Sequence, residues 1–191
     1  MAGKTFNIVG TSPRKVDGLS KCSGATRFAD DLAMPRMLFC KLLRADVPHA
    51  RIRSIDTGGA EKAPGVVAAL TGAAMPVPFG ILPVSQDEHA LCVERVRFVG
   101  DPVAAVAAVD EETAYEATKA IRVEYEPLAP VFTPEEAIEN RTPPLHDYGD
   151  DGNVHKRVSM QFGDVEGALG EADVVLEDVV FYQGSTHLPM E

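Results

Sequence analysis

The side chains best able to do chemistry in this 191-residue chain are few and scattered. Asp87-Glu88-His89 sets three titratable groups in a row, inside a stretch that also carries Pro76, Pro78, Gly80 and Pro83. Sequence neighbours usually point apart, so the trio reads as a solvated acidic loop, with acid–base work as the sharper alternative. His187 and Glu191 stand four apart, a spacing used by helical metal pairs, but Pro189 between them breaks that face. Asp147, Asp150 and Asp151 fall in NRTPPLHDYGDDGN (140–153), which lacks the ligand spacing and closing glutamate of a calcium loop and reads as a solvated linker. Cys22, Cys40 and Cys92 are odd in number and far apart, so neither a disulfide framework nor a CxxC site is present; three reduced thiols are expected, some of them buried. There is no GxGxxG, Walker, HExxH or GxSxG pattern, and no nucleophile has an identifiable base. No residue is therefore assigned as catalytic, cofactor-binding or metal-ligating. One loop is different in kind. Phe79, Ile81 and Leu82, with Gly80 among them, put apolar side chains on a Pro/Gly-stiffened turn, either tucked into the domain or presented to a ligand.

The balance of charge is acidic, 29 Asp+Glu against 18 Lys+Arg, which disfavours nucleic acid and anionic membranes as partners. The chain begins without the apolar core of a signal peptide and contains no apolar run long enough to span a bilayer, so a cytoplasmic location is the default.

The elements that must position these groups read as α+β. Residues 37–44, bounded by Pro35 and Pro48, favour a strand, as do 50–55 and 66–70, with a short helix at 58–62 between the latter two. Val96 to Val99 reads as another strand, ended by Gly100-Asp101-Pro102. The unbroken apolar run 103–109 predicts a strand buried on both faces. Asp110 then caps a helix with Glu111 and Glu112 in its first turn, and Ile121, Val123 and Tyr125 alternate with charged residues as in a half-buried strand. Thr133-Pro134 starts one or two helical turns. Past the linker, 158–162 and 174–183 read as strands around a short helix at 164–172, and the last strand has no sequence partner, so the chain is expected to be a fragment of a longer polypeptide.

Taken in order, several of these pieces resemble the molybdopterin-binding large subunit of the xanthine dehydrogenase and aldehyde oxidase family. They are Arg14, Asp17, Lys21, Gly24 and Asp30-Asp31, LLRADVPHARIRSID (42–56), APGVVAALTGAAMP (63–76), VRFVGDPVAAVAA (96–108), VEYEPL (123–128), GDVEGAL (163–169) and HLPME (187–191). The resemblance implies an N-terminal arm (1–19), an α/β hammerhead domain (20–130), a linker (131–153) and the truncated start of a first molybdopterin-binding domain (154–191). FGILPVSQDEHAL (79–91) is most similar to the 4-hydroxybenzoyl-CoA reductase branch, implying reductive dehydroxylation of an aromatic CoA thioester. The alternatives are a molybdenum hydroxylase of an aldehyde or N-heterocycle, and a stand-alone subunit-interaction module. Implied cofactors are molybdenum on molybdopterin cytosine dinucleotide in the full-length subunit, with 2Fe–2S clusters and FAD on partner subunits. Implied partners are those iron–sulfur and FAD subunits and the remainder of the large subunit. This segment alone is expected to bind no cofactor and to be inactive, with Phe79, Gly80, Ile81 and Leu82 contributing to the substrate channel.

Overall fold

The computed structural model describes residues 7–80, 86–139, 144–146 and 153–185. The chain divides into two units, residues 1–35 with 176–191, and residues 36–175. In the first, α1 (Gly18–Cys22) is a single exposed turn held by a Lys21–Asp17 ion pair at 2.7 Å.

The second unit carries two three-stranded antiparallel sheets. Its strands are β1 (Phe39–Arg44), β2 (Ala50–Asp56), β3 (Val66–Thr71), β4 (Arg95–Val96), β5 (Pro102–Ala108) and β6 (Arg122–Pro127), and the sheet orders are β1-β5-β3 and β4-β2-β6. Each sheet thus draws strands from both halves of the unit. The helices are α2 (Gly58–Glu61), α3 (Glu111–Thr118), α4 (Pro134–Glu139) and α5 (Val165–Glu171).

Placement of α3 follows from its start. Asp110 is extended and accepts the Thr113 N–H at 2.7 Å, satisfying an orphan donor of the first turn. That backbone bond, with a further one from the Thr113 side chain, holds the Asp110 carboxyl below the usual carboxylate range. The helix then lays Ala114, Ala117 and Thr118 inward. Small side chains let it approach β5, where Ala104 and Val106 are fully buried and, with Ala60, Ala117 and Ile121, form one core cluster. A second cluster of Ala45, Ala50, Cys92, Val96 and Val103 lies against the other sheet. Ile55 and Val123 pack against both clusters, which fuses them into one interior.

Three expectations change. β5 is not buried on both faces: Ala104, Val106 and Ala108 are inside, whereas Ala105 and Ala107 are half-buried beside exposed Leu42 and Leu70, since α3 covers one side only. The strand expected over 96–99 stops at Val96, because Asp101 takes the Arg97 N–H at 2.9 Å and turns the chain, leaving Phe98 and Val99 exposed. Residues 158–162 and 174–183 form no strand; they lie outside helix and sheet and are exposed, with Val179 97% accessible, although α5 between them forms and is capped by Asp164. β-propensity without a neighbouring edge makes no ladder. Among the described residues, no helix is long and apolar enough to cross a membrane.

Candidate functional site

The loop between β3 and β4 and the segment after α4 enclose a cleft of about 1050 Å³ in the second unit. Its floor is built first. The 3-10 turn Gly72–Ala74 runs so close to the chain at Leu91–Cys92 that a Cβ on Gly72 would sit 2.3 Å from the Cys92 carbonyl oxygen. Only glycine permits that approach. Cys92 is anchored in turn by its N–H donating to Pro102 O at 2.7 Å. Gly100, at φ +97, allows the turn that brings Asp101 inward, and its N–H donates to Ala45 O at 2.7 Å while Arg44 donates to its carbonyl at 2.8 Å.

Asp101 is buried and takes the Arg97 backbone N–H. Burial, reinforced by a hydrogen bond to the Asp101 carboxylate and by its negative charge, pushes the Cys92 thiol up to about 12. Cys92 is therefore a neutral packed thiol and not a nucleophile.

The walls are joined through Arg97. Its Nε donates to Leu145 O at 2.7 Å, and its NH2 group lies 3.5 Å from the Asp87 carboxylate, which also meets His146 Nδ1 at 2.8 Å. Arg95 donates to Pro144 O at 3.3 Å, and Leu145 N donates to Asn153 Oδ1 at 2.7 Å. One residue on from Asp87, Glu88 and Phe79 exchange both backbone hydrogen bonds, at 2.8 and 3.0 Å, closing the neck of a hairpin.

Of the residues expected in a substrate channel, Phe79 lines this cleft at 49% exposure; Gly80 follows it, half-buried, and does not line it; Ile81 and Leu82 lie outside the described residues. Asp87, Glu88 and His89 all line the cleft. The expectation of a solvated acidic loop is corrected at Asp87, whose side chain is only 20% exposed because Arg97 and His146 fold over it. Asp147, Asp150, Asp151, His187 and Glu191 lie outside the described residues. Sequence reading missed Arg97, Phe98, Asp101, His146 and His155, all in the cleft lining. The one available signal was Arg97 itself, a charge set in the apolar run VRFV.

Chemically the cleft lining is mixed: aromatic and proline surfaces from Phe79, Phe98, Pro76 and Pro102 occur together with paired charges. Its described lining has no serine, threonine, tyrosine or lysine. Among the described residues no group of three or more His, Cys, Asp or Glu side chains could hold a metal ion directly. The arrangement can bind and orient a flat apolar molecule. A second depression of about 450 Å³ beside α3, lined by Pro64, Asp110 and Glu116, holds no basic or aromatic group.

Comparison with known proteins adds four findings. The family described as "Aldehyde oxidase and xanthine dehydrogenase, a/b hammerhead domain" matches residues 23–129. The chain is 39% identical to the nicotinate dehydrogenase large molybdopterin subunit of Eubacterium barkeri, over 99% of this chain and 44% of that protein. It is 34% identical to the xanthine dehydrogenase molybdenum-binding subunit of Escherichia coli, over 83% of this chain and 22% of that one. Among solved structures, the aldehyde oxidoreductase of Desulfovibrio desulfuricans superposes with a TM-score of 0.67 at 28% identity, covering 78% of this chain and 18% of that chain. The chain spans less than half the length of the curated relatives named above.

Proposed function

This chain belongs to the aldehyde oxidase and xanthine dehydrogenase family, and we propose that it is the part of a molybdenum hydroxylase large subunit that shapes the route by which substrate reaches the metal centre. The observation that carries this is the cleft, whose lining combines Phe79 and Phe98 with a cluster of paired charges, a surface suited to a planar molecule. The molybdopterin centre, carried by the rest of a complex that also holds iron–sulfur and FAD subunits, supplies the oxygen-atom and two-electron chemistry. The contribution of this chain is binding: aromatic walls orient a flat ring, and the hairpin neck holds Phe79 against it. In this reading Phe79 lines the channel and Gly80 supports it from behind the lining, the whole enzyme works in the cytoplasm, and the pterin is the cytosine dinucleotide form.

The similarity to nicotinate dehydrogenase over 99% of the chain favours an N-heterocycle or aldehyde as substrate, oxidised by hydroxylation. A second reading, reductive dehydroxylation as in 4-hydroxybenzoyl-CoA reductase, rests on the stretch FGILPVSQDEHAL. A tagged chain purified with its native partners decides between them. Elemental analysis is expected to find molybdenum in the complex. Turnover of nicotinate, purines or aldehydes with an electron acceptor supports hydroxylation, whereas reduction of 4-hydroxybenzoyl-CoA by a low-potential donor supports the second reading. A stable native complex without molybdenum overturns both.

A further inference from the structure

We infer that Arg97 is a positioning residue that fastens the base of the Phe79–Glu88 hairpin to the 144–146 segment and thereby fixes the width of the cleft. This rests on the reading that the cleft receives substrate.

Four observations converge on that side chain. Its backbone is immobilised before its guanidinium acts: the Arg97 N–H is taken by buried Asp101 at 2.9 Å, and Asp101 is itself tied to the β1 end through Ala45 N donating to its carbonyl at 2.9 Å. From that fixed point the guanidinium reaches two walls, Leu145 O at 2.7 Å through Nε and Asp87 at 3.5 Å through NH2. Asp87 meets His146 on the same segment at 2.8 Å, so both walls close on one carboxylate. Asp87 directly precedes Glu88, whose paired backbone bonds with Phe79 form the hairpin neck. Arg97 and Asp87 are 19% and 20% exposed, which sets this pair apart from exposed pairs such as Lys119–Glu116, at 52% and 58%. Partial burial reduces solvent screening, and a guanidinium presents several donors in a fixed fork, as a contact to two walls requires. The route from the turn at Asp101 to Phe79 thus passes through Arg97.

The test uses amide hydrogen exchange on the whole chain, read at Phe79, Glu88 and Leu145, with Val109 as control because its N–H donates to Gly65 O at 3.0 Å on the far side of β5. In Arg97→Gln the first three amides are expected to exchange roughly tenfold faster while Val109 is unchanged, the size expected for losing one charge-assisted hydrogen bond. Arg97→Lys keeps a cation for Asp87 but lacks the Nε donor to Leu145. It is expected to return Phe79 and Glu88 close to native rates and to leave Leu145 fast. Asp87→Asn is expected to speed Phe79 and Glu88 and to add nothing when combined with Arg97→Gln. Unchanged rates in Arg97→Gln, or equal acceleration at Val109, overturn the fastening role. In the native complex, Arg97→Gln is expected to raise KM proportionally more than it lowers kcat. Faster exchange with KM untouched supports the fastening and overturns the reading of the cleft as a substrate route.

Discussion

A thiol in contact with a buried carboxylate behaves unlike a thiol in water. Cys92 is 6% exposed and hydrogen-bonds Asp101, and its pKa rises from an ordinary 9.0 to about 12, whereas Cys22 and Cys40 are exposed. Iodoacetamide at pH 8 is therefore expected to modify Cys22 and Cys40 in the native protein and to reach Cys92 only after denaturation, as read by intact mass. The same shift has a thermodynamic sign. With the folded pKa raised, the stabilisation is complete below about pH 9 and is lost as pH climbs to about 12, because the unfolded chain ionises first. Tyr125, pushed from 10.0 to about 12 mainly by burial, acts in the same direction, so stability to urea is expected to fall through that window. At this scale the sequence was a partial guide. The three cysteines read correctly as unpaired thiols, although only Cys92 of them is buried, and Phe79 was singled out, but Asp87 was not seen as engaged. Its partner His146 lies 59 residues further on, beyond a proline-rich stretch, and neither periodicity nor spacing carries information over that distance.

Elements were legible where their determinants were local. α3 announced itself through Asp110 and two glutamates, β6 through strict alternation, and α4 through Thr133-Pro134, with Thr133 Oγ1 accepting the Glu136 N–H at 3.1 Å. They were illegible where the outcome depended on a neighbour, as in the truncation of β4 at Val96 or the exchange of strands between the two sheets. Gly72 shows how such a neighbour acts. It reads in sequence as one more loop glycine, yet a methyl there would collide with backbone atoms of Leu91 and Cys92 at 2.3 to 2.7 Å. Backbone cannot rotate away as a side chain can. Gly72→Ala is expected to destabilise the fold by about 1–3 kcal/mol, as overpacking does, and to lower the midpoint of urea unfolding. Because the displaced residue is Cys92, the variant is also expected to admit iodoacetamide at Cys92 without denaturant.

Over the whole chain, the two units differ in how much interior they own. Residues 36–175 hold both core clusters, whereas α1 in the first unit buries no residue. The net charge of −11 sets copies of the chain repelling one another, which opposes association through exposed apolar side chains such as Leu42, Phe98 and Leu70. The exposed stretches flanking α5 have a practical consequence. Phe162, Leu176, Phe181 and Tyr182 are each 84–88% accessible, on backbone that joins no sheet. A protease active site takes its substrate as an extended strand, a shape that backbone outside helix and sheet can adopt without breaking a ladder, and these residues carry the aromatic or leucine side chains that chymotrypsin prefers. Brief digestion is expected to clip after these four positions while Phe39 and Tyr125, locked into ladders, stay intact, leaving a resistant band that begins before β1 and ends beyond β6. Sequencing that band by mass would define the smallest portion of the chain suitable for crystallisation.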